Sequence, residues 1–172
     1  VLYQSTDSHP YIDLAYQLVG IAAELAPVLL VVYLLHRSSE TLSVLGVDRR
    51  RSGADGAQGA GLAALVGGAG LASLLAAHAL GLDFTLAVGS GAHHWFTAPL
   101  LVLQAAGTAT SEEIIVGAYL LHRLRQLQWG DGRALGAAAV LRGAYHLYQG
   151  PGQFVNNAVL GLFFGRIFQR TR

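Results

Sequence analysis

Two adjacent glutamates, Glu112 and Glu113, interrupt an apolar run that extends from Trp95 to Leu121. A buried carboxylate can serve as a general base near neutral pH, since burial and a like-charged neighbour both favour its protonated form. Successive side chains of a helix point about 100° apart, so the two glutamates cannot serve one site in the same way. We expect one to act on water and the other to be held by a structural partner. The alternative is a polar pair at an interface, beside a TATS kink.

A second polar group lies about thirty residues later. Arg142 and His146 are four residues apart, which places them on one face of a helix. Histidine can bind a metal, relay a proton or hydrogen-bond a developing oxyanion. A lone histidine is more often a tethered core residue, but the neighbouring arginine favours a chemical role here. Asn156 and Asn157 add amides near the start of the next apolar segment.

Composition indicates where these residues lie. The chain has 172 residues, of which 53% are hydrophobic and 12% charged, whereas a globular domain carries about 25% charged residues. This predicts a membrane protein, in which buried ionisable groups are costly and therefore functional candidates. The chain has no cysteine, which excludes thiolate metal sites, and its net charge of +1 gives no reason to expect nucleic acid as a partner. All eleven basic residues are arginine, a bias typical of GC-rich bacteria.

Five segments are long enough, or nearly so, to span a bilayer as helices, which takes about 20 apolar residues. They are residues 12–35, 59–80, 95–121, 134–148 and 154–168, the last two forming a hairpin around a GPG turn. Arginines follow the first, third and fifth segments and are absent after the second and fourth. The positive-inside rule then places the N-terminus outside and the C-terminus in the cytoplasm. We predict an all-α, multi-pass bundle in the cell membrane, with a flexible cytoplasmic loop at residues 49–58.

The sequences EEIIVGAYLLHRLRQL and LRGAYHLYQGPGQFVNNAVLGLFFG resemble the CPBP family of intramembrane peptidases, which includes type II CAAX prenyl endopeptidases and bacteriocin-processing enzymes. The resemblance covers residues 95–172 and implies that they hold the catalytic-core helices, while residues 1–94 form an N-terminal pair of transmembrane helices. It implies that Glu112 activates a water for attack on a peptide bond and that His146 assists. The implied site residues are Glu112, Glu113 and His146, supported by Arg142, Asn156 and Asn157. The resemblance leaves open a divalent metal such as zinc, with Glu112 and His146 as its ligands.

Three positions depart from the family pattern. The arginine of Glu-Glu-x-x-x-Arg falls at Gly117, and the phenylalanine of Phe-x-x-x-His falls at Arg142. The later His-x-x-x-Asn/Asp is absent, because no histidine follows His146. The first two departures suggest that Arg142 pairs with Glu113 from a neighbouring helix across the gap beside Gly117, with Glu24 as the competing partner. The third leads us to expect that the chain is a truncated fragment and can be inactive alone.

The sequence therefore predicts an intramembrane peptidase whose partners are the lipid bilayer and a peptide or protein substrate. The alternative is a non-catalytic membrane scaffold of the same fold, such as an immunity or regulatory factor. Gly117 and the missing motif favour the scaffold, whereas two costly glutamates and His146 at membrane depth favour the enzyme. A transporter or channel subunit would require polar residues along several helices, whereas the polar residues here cluster at one depth.

Overall fold

The computed structural model describes residues 10–47, 52–79 and 94–171, and their regular secondary structure is helical. The helices are α1 (Pro10–Arg37), α2 (Ser52–Ala79), α3 (Thr97–Glu112), α4 (Leu120–Gln126), α5 (Asp131–Ala144) and α6 (Pro151–Thr171). Seven residues between α3 and α4, Glu113–Tyr119, form a π-helical segment, here called the π segment. Short 3-10 turns lie at Leu42–Leu45 and Leu147–Gln149. The prediction of an all-α fold is confirmed.

One helix in the described ranges, α1, is long and apolar enough to cross a membrane by length and composition. Its most apolar 18-residue window has a mean hydropathy of 2.4. The count of five spans, the orientation of the termini and the division at residue 94 stay predictions. Helix α2 belongs to one compact unit of the chain, while α1 and α3 to α6 belong to another.

Two predicted segment boundaries are corrected by the structure. Helix α2 begins at Ser52, so most of the predicted flexible loop 49–58 is helical, whereas residues 49–51 lie outside the described chain. Asp55 stands in the first turn of α2, where a carboxylate interacts favourably with the helix dipole. Helix α5 ends at Ala144, before the predicted boundary at residue 148.

After the end of α5, a glycine and a proline form the turn that leads into α6. Gly150 has a φ of 111°, a conformation that residues with a side chain rarely adopt. Pro151 then begins α6, because its fixed φ and missing N–H suit the first helical position. The residues between the helices form a compact connection, and α5 and α6 pack as the predicted hairpin. His146 consequently lies in this connection and not on the helix that carries Arg142.

The π segment is held between α1 on one side and the α5–α6 hairpin on the other. Ala118 packs with Val31 and Leu35 of α1, and Leu35 is completely enclosed. Val116 packs instead with a second buried cluster that contains Leu121 and residues of α5. Apolar burial of this kind is the main stabilising contribution to helix packing. It fixes the part of the chain that immediately follows Glu112.

Small residues bring α5 and α6 close together. A Cβ atom at Gly161 would lie 3.1 Å from the Cα atom of Ala139. One at Gly165 would lie 2.6 Å from a Leu135 methyl, and one at Gly143 only 2.7 Å from the carbonyl oxygen of Phe154. The Gly-x-x-x-Gly pattern of α6 therefore serves the close helix approach expected of it.

We expect Gly143→Ala to destabilise the protein by about 1–3 kcal/mol, because the new methyl group meets a backbone carbonyl that cannot move alone. Gly136→Ala on the same helix is the matched control, since a Cβ there meets nothing within 4 Å. That control should gain about 1 kcal/mol from helix propensity. Thermal unfolding in detergent checks both, and equal midpoints for the two variants would contradict the close α5–α6 contact.

A polar cluster joins the chain after α1 to α4. The Oε1 atom of Glu40 lies 3.0 Å from Nε2 of His122 and accepts a hydrogen bond from Gln126 at 2.5 Å. Its Oε2 atom lies 2.9 Å from the Arg123 guanidinium. The hydrogen bond with His122 lowers the pKa of Glu40, aided by Gln126 and Arg123 and opposed by desolvation. The cluster anchors the end of α1 beside α4.

Because the pKa of Glu40 is lower in the folded protein, its contribution to stability is present above the unfolded value of about 4.3. This stabilising contribution disappears as the pH falls through the lower pKa that Glu40 has in the folded protein. Glu40→Gln should therefore cost up to about 1 kcal/mol near neutral pH and nothing in acid. The difference in unfolding midpoint between wild type and variant, measured across this pH range, checks the prediction. A difference that persists in acid would show that the carboxylate charge is not responsible.

Candidate active site

Arg142 holds both glutamates of the pair. Its Nη1 atom donates to Oε1 of Glu113 at 2.5 Å, and its Nη2 atom donates to Oε2 of Glu112 at 2.8 Å. The ion pair between Arg142 and Glu113 that the sequence suggested is therefore present, and Glu112 shares the same guanidinium. Adjacent helical residues diverge by about 100°, and the two separate Nη atoms allow one arginine to reach both carboxylates.

The two carboxylates differ in their surroundings. Glu112 is the last residue of α3 and its side chain is 17% exposed. Glu113 begins the π segment and its side chain is 41% exposed. Arg142 itself is 6% exposed, so its charge is almost completely removed from solvent. Pairing with carboxylates is what makes such burial tolerable, since an unpaired buried charge is strongly destabilising.

Gly117 makes room for the Glu113 carboxylate. A Cβ atom at this position would lie 2.7 Å from Oε2 of Glu113. The family pattern has an arginine here, four residues after the second glutamate. In this chain the carboxylate occupies the space beside the glycine, and the guanidinium comes from α5. The cation that pairs with Glu113 therefore comes from α5 and not from the π segment itself.

His146 faces Glu112 because its other ring nitrogen is bound to the backbone. Its Nδ1 atom lies 3.0 Å from the carbonyl oxygen of Arg142. A carbonyl only accepts hydrogen bonds, so Nδ1 carries a proton and donates it. The Nε2 atom is left 3.3 Å from Oε1 of Glu112, where the two groups can share a further proton. The Tyr145 ring lies against the imidazole, with centroids 4.6 Å apart.

The two asparagines proposed as supporting residues have other contacts. Asn157 is buried, and its Nδ2 atom donates to the carbonyl oxygen of Gln153 at 3.0 Å. Asn156 is exposed on the same helix. The contacts described for α6 bring neither amide to Glu112 or His146, so their catalytic role stays a prediction.

Glu24, the competing partner for Arg142, is bound by α3 instead. Thr108 donates from Oγ1 to Oε1 of Glu24 at 2.6 Å, and Ser111 donates to the backbone carbonyl of Glu24 at 3.0 Å. Sequence reasoning treated the TATS stretch as a kink and missed this role. The spacing of three residues between Thr108 and Ser111, which places them on one helical face, was the available signal. These bonds fix α1 beside the turn that ends at Glu112.

The donor atoms that converge here do not fit a resident metal ion. Glu112 and His146 offer two ligands, whereas catalytic zinc sites use three protein ligands. Among residues 10–47, 52–79 and 94–171 no group of three or more histidine, cysteine, aspartate or glutamate residues could hold a metal. The positive charge of Arg142 also lies against the second oxygen of Glu112. No catalytic step is therefore assigned to a metal.

We expect Gly117→Ala to displace the Glu113 carboxylate from Arg142 while leaving the fold intact, because the displaced group is the end of a flexible side chain. A double-mutant cycle with Glu113→Gln measures this by thermal unfolding. Glu113→Gln should be destabilising in the wild-type background and nearly neutral in the Gly117→Ala background. Additive effects would contradict the role assigned to the glycine.

Comparison with known proteins gives a family match over the part of the chain that holds this site. Residues 94–172 match the family model described as type II CAAX prenyl endopeptidase Rce1-like. No curated protein and no solved structure matches the chain. The matched range includes both glutamates, the arginine that joins them and His146, and it begins one residue before the resemblance recognised in the sequence. The resemblance recognised in the sequence is therefore confirmed for residues 94–172, which carry an Rce1-like domain of the type II CAAX prenyl endopeptidase kind.

Proposed function

We propose that this protein is an intramembrane peptidase in which Glu112 activates the water that hydrolyses a peptide bond. The observation that carries the proposal is the contact of 3.3 Å between Oε1 of Glu112 and Nε2 of His146, inside an Rce1-like domain. A carboxylate and an imidazole at this distance can together orient one water and move its proton.

The chain's own residues are sufficient to describe the proton movements. A water beside Oε1 of Glu112 gives a proton to that carboxylate while its oxygen bonds to the carbonyl carbon of the substrate. A separate proton, carried by Nε2 of His146, hydrogen-bonds the developing oxyanion. Glu112 then passes its proton to the amide nitrogen as the carbon–nitrogen bond breaks. The products are a carboxylic acid and an amine.

Arg142 has a positioning role in this scheme. It binds Oε2 of Glu112, which directs Oε1 toward His146, and its backbone carbonyl binds Nδ1 of the same histidine. One residue thus orients both members of the proposed pair, from its side chain and from its main chain. Glu113 shares the guanidinium and balances its charge.

The finer parts of the proposal concern the membrane. The substrate is a peptide or protein whose scissile bond lies in or near the bilayer. The protein crosses that membrane several times, with its N-terminus outside and its C-terminus in the cytoplasm. The apolarity of α1 and the Rce1-like match of residues 94–172 support a place in the membrane, and the alternating distribution of arginines supports the orientation.

A non-catalytic scaffold of the same fold is the rival function. The observation that favours it is that Arg142 contacts both glutamates, since an ion-pair cluster of this kind can be purely structural. In that case the site would bind a peptide or a partner protein without cleaving it. Peptide cleavage therefore decides between the two functions.

The protein reconstituted in liposomes should cleave peptides from a broad library. Glu112→Gln and His146→Ala should each reduce the rate at least about 100-fold, the usual loss when a general acid or base is removed. Glu40→Gln, which alters a carboxylate outside the site, is the control and should cleave like wild type. A chelator should leave the rate unchanged.

Three results would contradict the proposal. Wild-type protein that is folded but cleaves nothing would favour the scaffold. Cleavage that survives Glu112→Gln would remove the assigned base. Activity that a chelator abolishes and zinc restores would show that a metal binds despite the two-ligand donor set.

A further inference from the structure

A small cavity lies beside Arg142, between packed helices. It is enclosed by the π segment, α4, α5 and α6, and it offers about 10 Å³ to the centre of a water molecule. Its walls include Val116, Gly117, Ala138, Arg142, Gly161 and Gly165. A volume of about 10–15 Å³ is the least that accommodates one water, so nothing larger fits.

Arg142, which lines this cavity, has one polar atom without a partner. Its Nε atom is buried, and no atom of residues 10–47, 52–79 and 94–171 accepts the Nε hydrogen. Both Nη atoms are engaged by the two glutamates, so the guanidinium cannot rotate to satisfy Nε without losing one of them. A buried N–H without an acceptor is unfavourable, and such groups in native proteins are usually bound to protein or ordered water.

The π segment contributes Val116 and Gly117 to the cavity wall. The N–H of Leu120 donates to the carbonyl of Ile115, five residues earlier. A return from this five-residue spacing to the four-residue spacing of α4 would leave the carbonyl of Val116 outside the helical ladder. Val116 lines the cavity together with Arg142. The cavity is thus lined both by the residue that carries the unpaired donor and by the residue whose carbonyl this change of spacing would leave over.

We infer that this cavity binds one water molecule, which accepts the Nε–H of Arg142 and donates to the Val116 carbonyl. The size of the space excludes a larger ligand, and the guanidinium excludes a cation. This buried water is separate from the water proposed to attack a peptide bond, which lies beside Glu112 and His146. It completes the hydrogen bonding of the guanidinium and so helps keep both carboxylates in place. The inference does not depend on peptidase activity.

Arginine-selective ¹⁵N labelling in detergent micelles tests the site directly. Eleven arginines contribute signals, and the Arg142→Lys variant identifies the Nε–H of Arg142 by its loss. We expect that proton to exchange slowly with bulk solvent and to show a dipolar cross-peak to a bound water. Rapid exchange, or slow exchange without a water cross-peak, would overturn the inference.

Two variants at Ala138 provide a second test. Threonine and valine have the same shape and similar helix propensities, so Ala138→Thr and Ala138→Val overfill the one-water cavity to the same degree. Only threonine carries a hydroxyl that can replace the water as acceptor for Nε–H. The threonine variant should unfold about 2–4 °C above the valine variant, the shift expected for one hydrogen bond in a chain of this size. A valine variant of equal or greater stability would show that the space is dry.

Discussion

The arrangement of this site depends on one buried guanidinium shared by two carboxylates. Removing an arginine from water costs several kcal/mol, and only well-placed partners offset that cost. Arg142 meets Glu112 and Glu113 with separate Nη atoms, so the position of α5 relative to α3 and the π segment is fixed at two points. Its backbone carbonyl then fixes the imidazole of His146. Removal of the arginine side chain would leave both carboxylates without this cation.

The guanidinium reaches this position because the helices around it approach closely. Gly143 allows the backbone of α6 to contact α5, and a Cβ at Gly161 would lie 3.2 Å from Cδ of Arg142 itself. The aromatic ring of Phe164 lies 5.8 Å from the guanidinium carbon, a distance suited to a cation–π contact. Small residues and one ring therefore shape the space that the arginine occupies. The cavity that this close packing leaves beside Arg142 is large enough for no more than one water.

The contact between Arg142 and Glu113 accounts for two of the three departures of this chain from the family pattern. An arginine four residues after Glu113 would pair with it along one helix. Here Gly117 stands at that position, and the carboxylate turns into the space beside the glycine. Arg142 supplies the cation from the neighbouring helix, at the position where the pattern has a phenylalanine. The charge balance around the glutamates is retained, but it now depends on the packing of α5 against the π segment.

The amino-acid sequence by itself determined the all-α class and the α5–α6 hairpin, marked Glu112, Glu113 and His146 as candidate site residues, and suggested the Arg142–Glu113 pair. These follow from helical periodicity, composition and turn chemistry, which act over a few residues, and from a recognisable motif. Only the tertiary structure decided that Arg142 also binds Glu112, that Glu24 is bound by Thr108, and that His146 lies beyond the end of α5. Each of these outcomes depends on distances between helices or on a backbone carbonyl directed across a turn. Such distances are set by side-chain packing over the whole bundle, and no local pattern in the sequence specifies them.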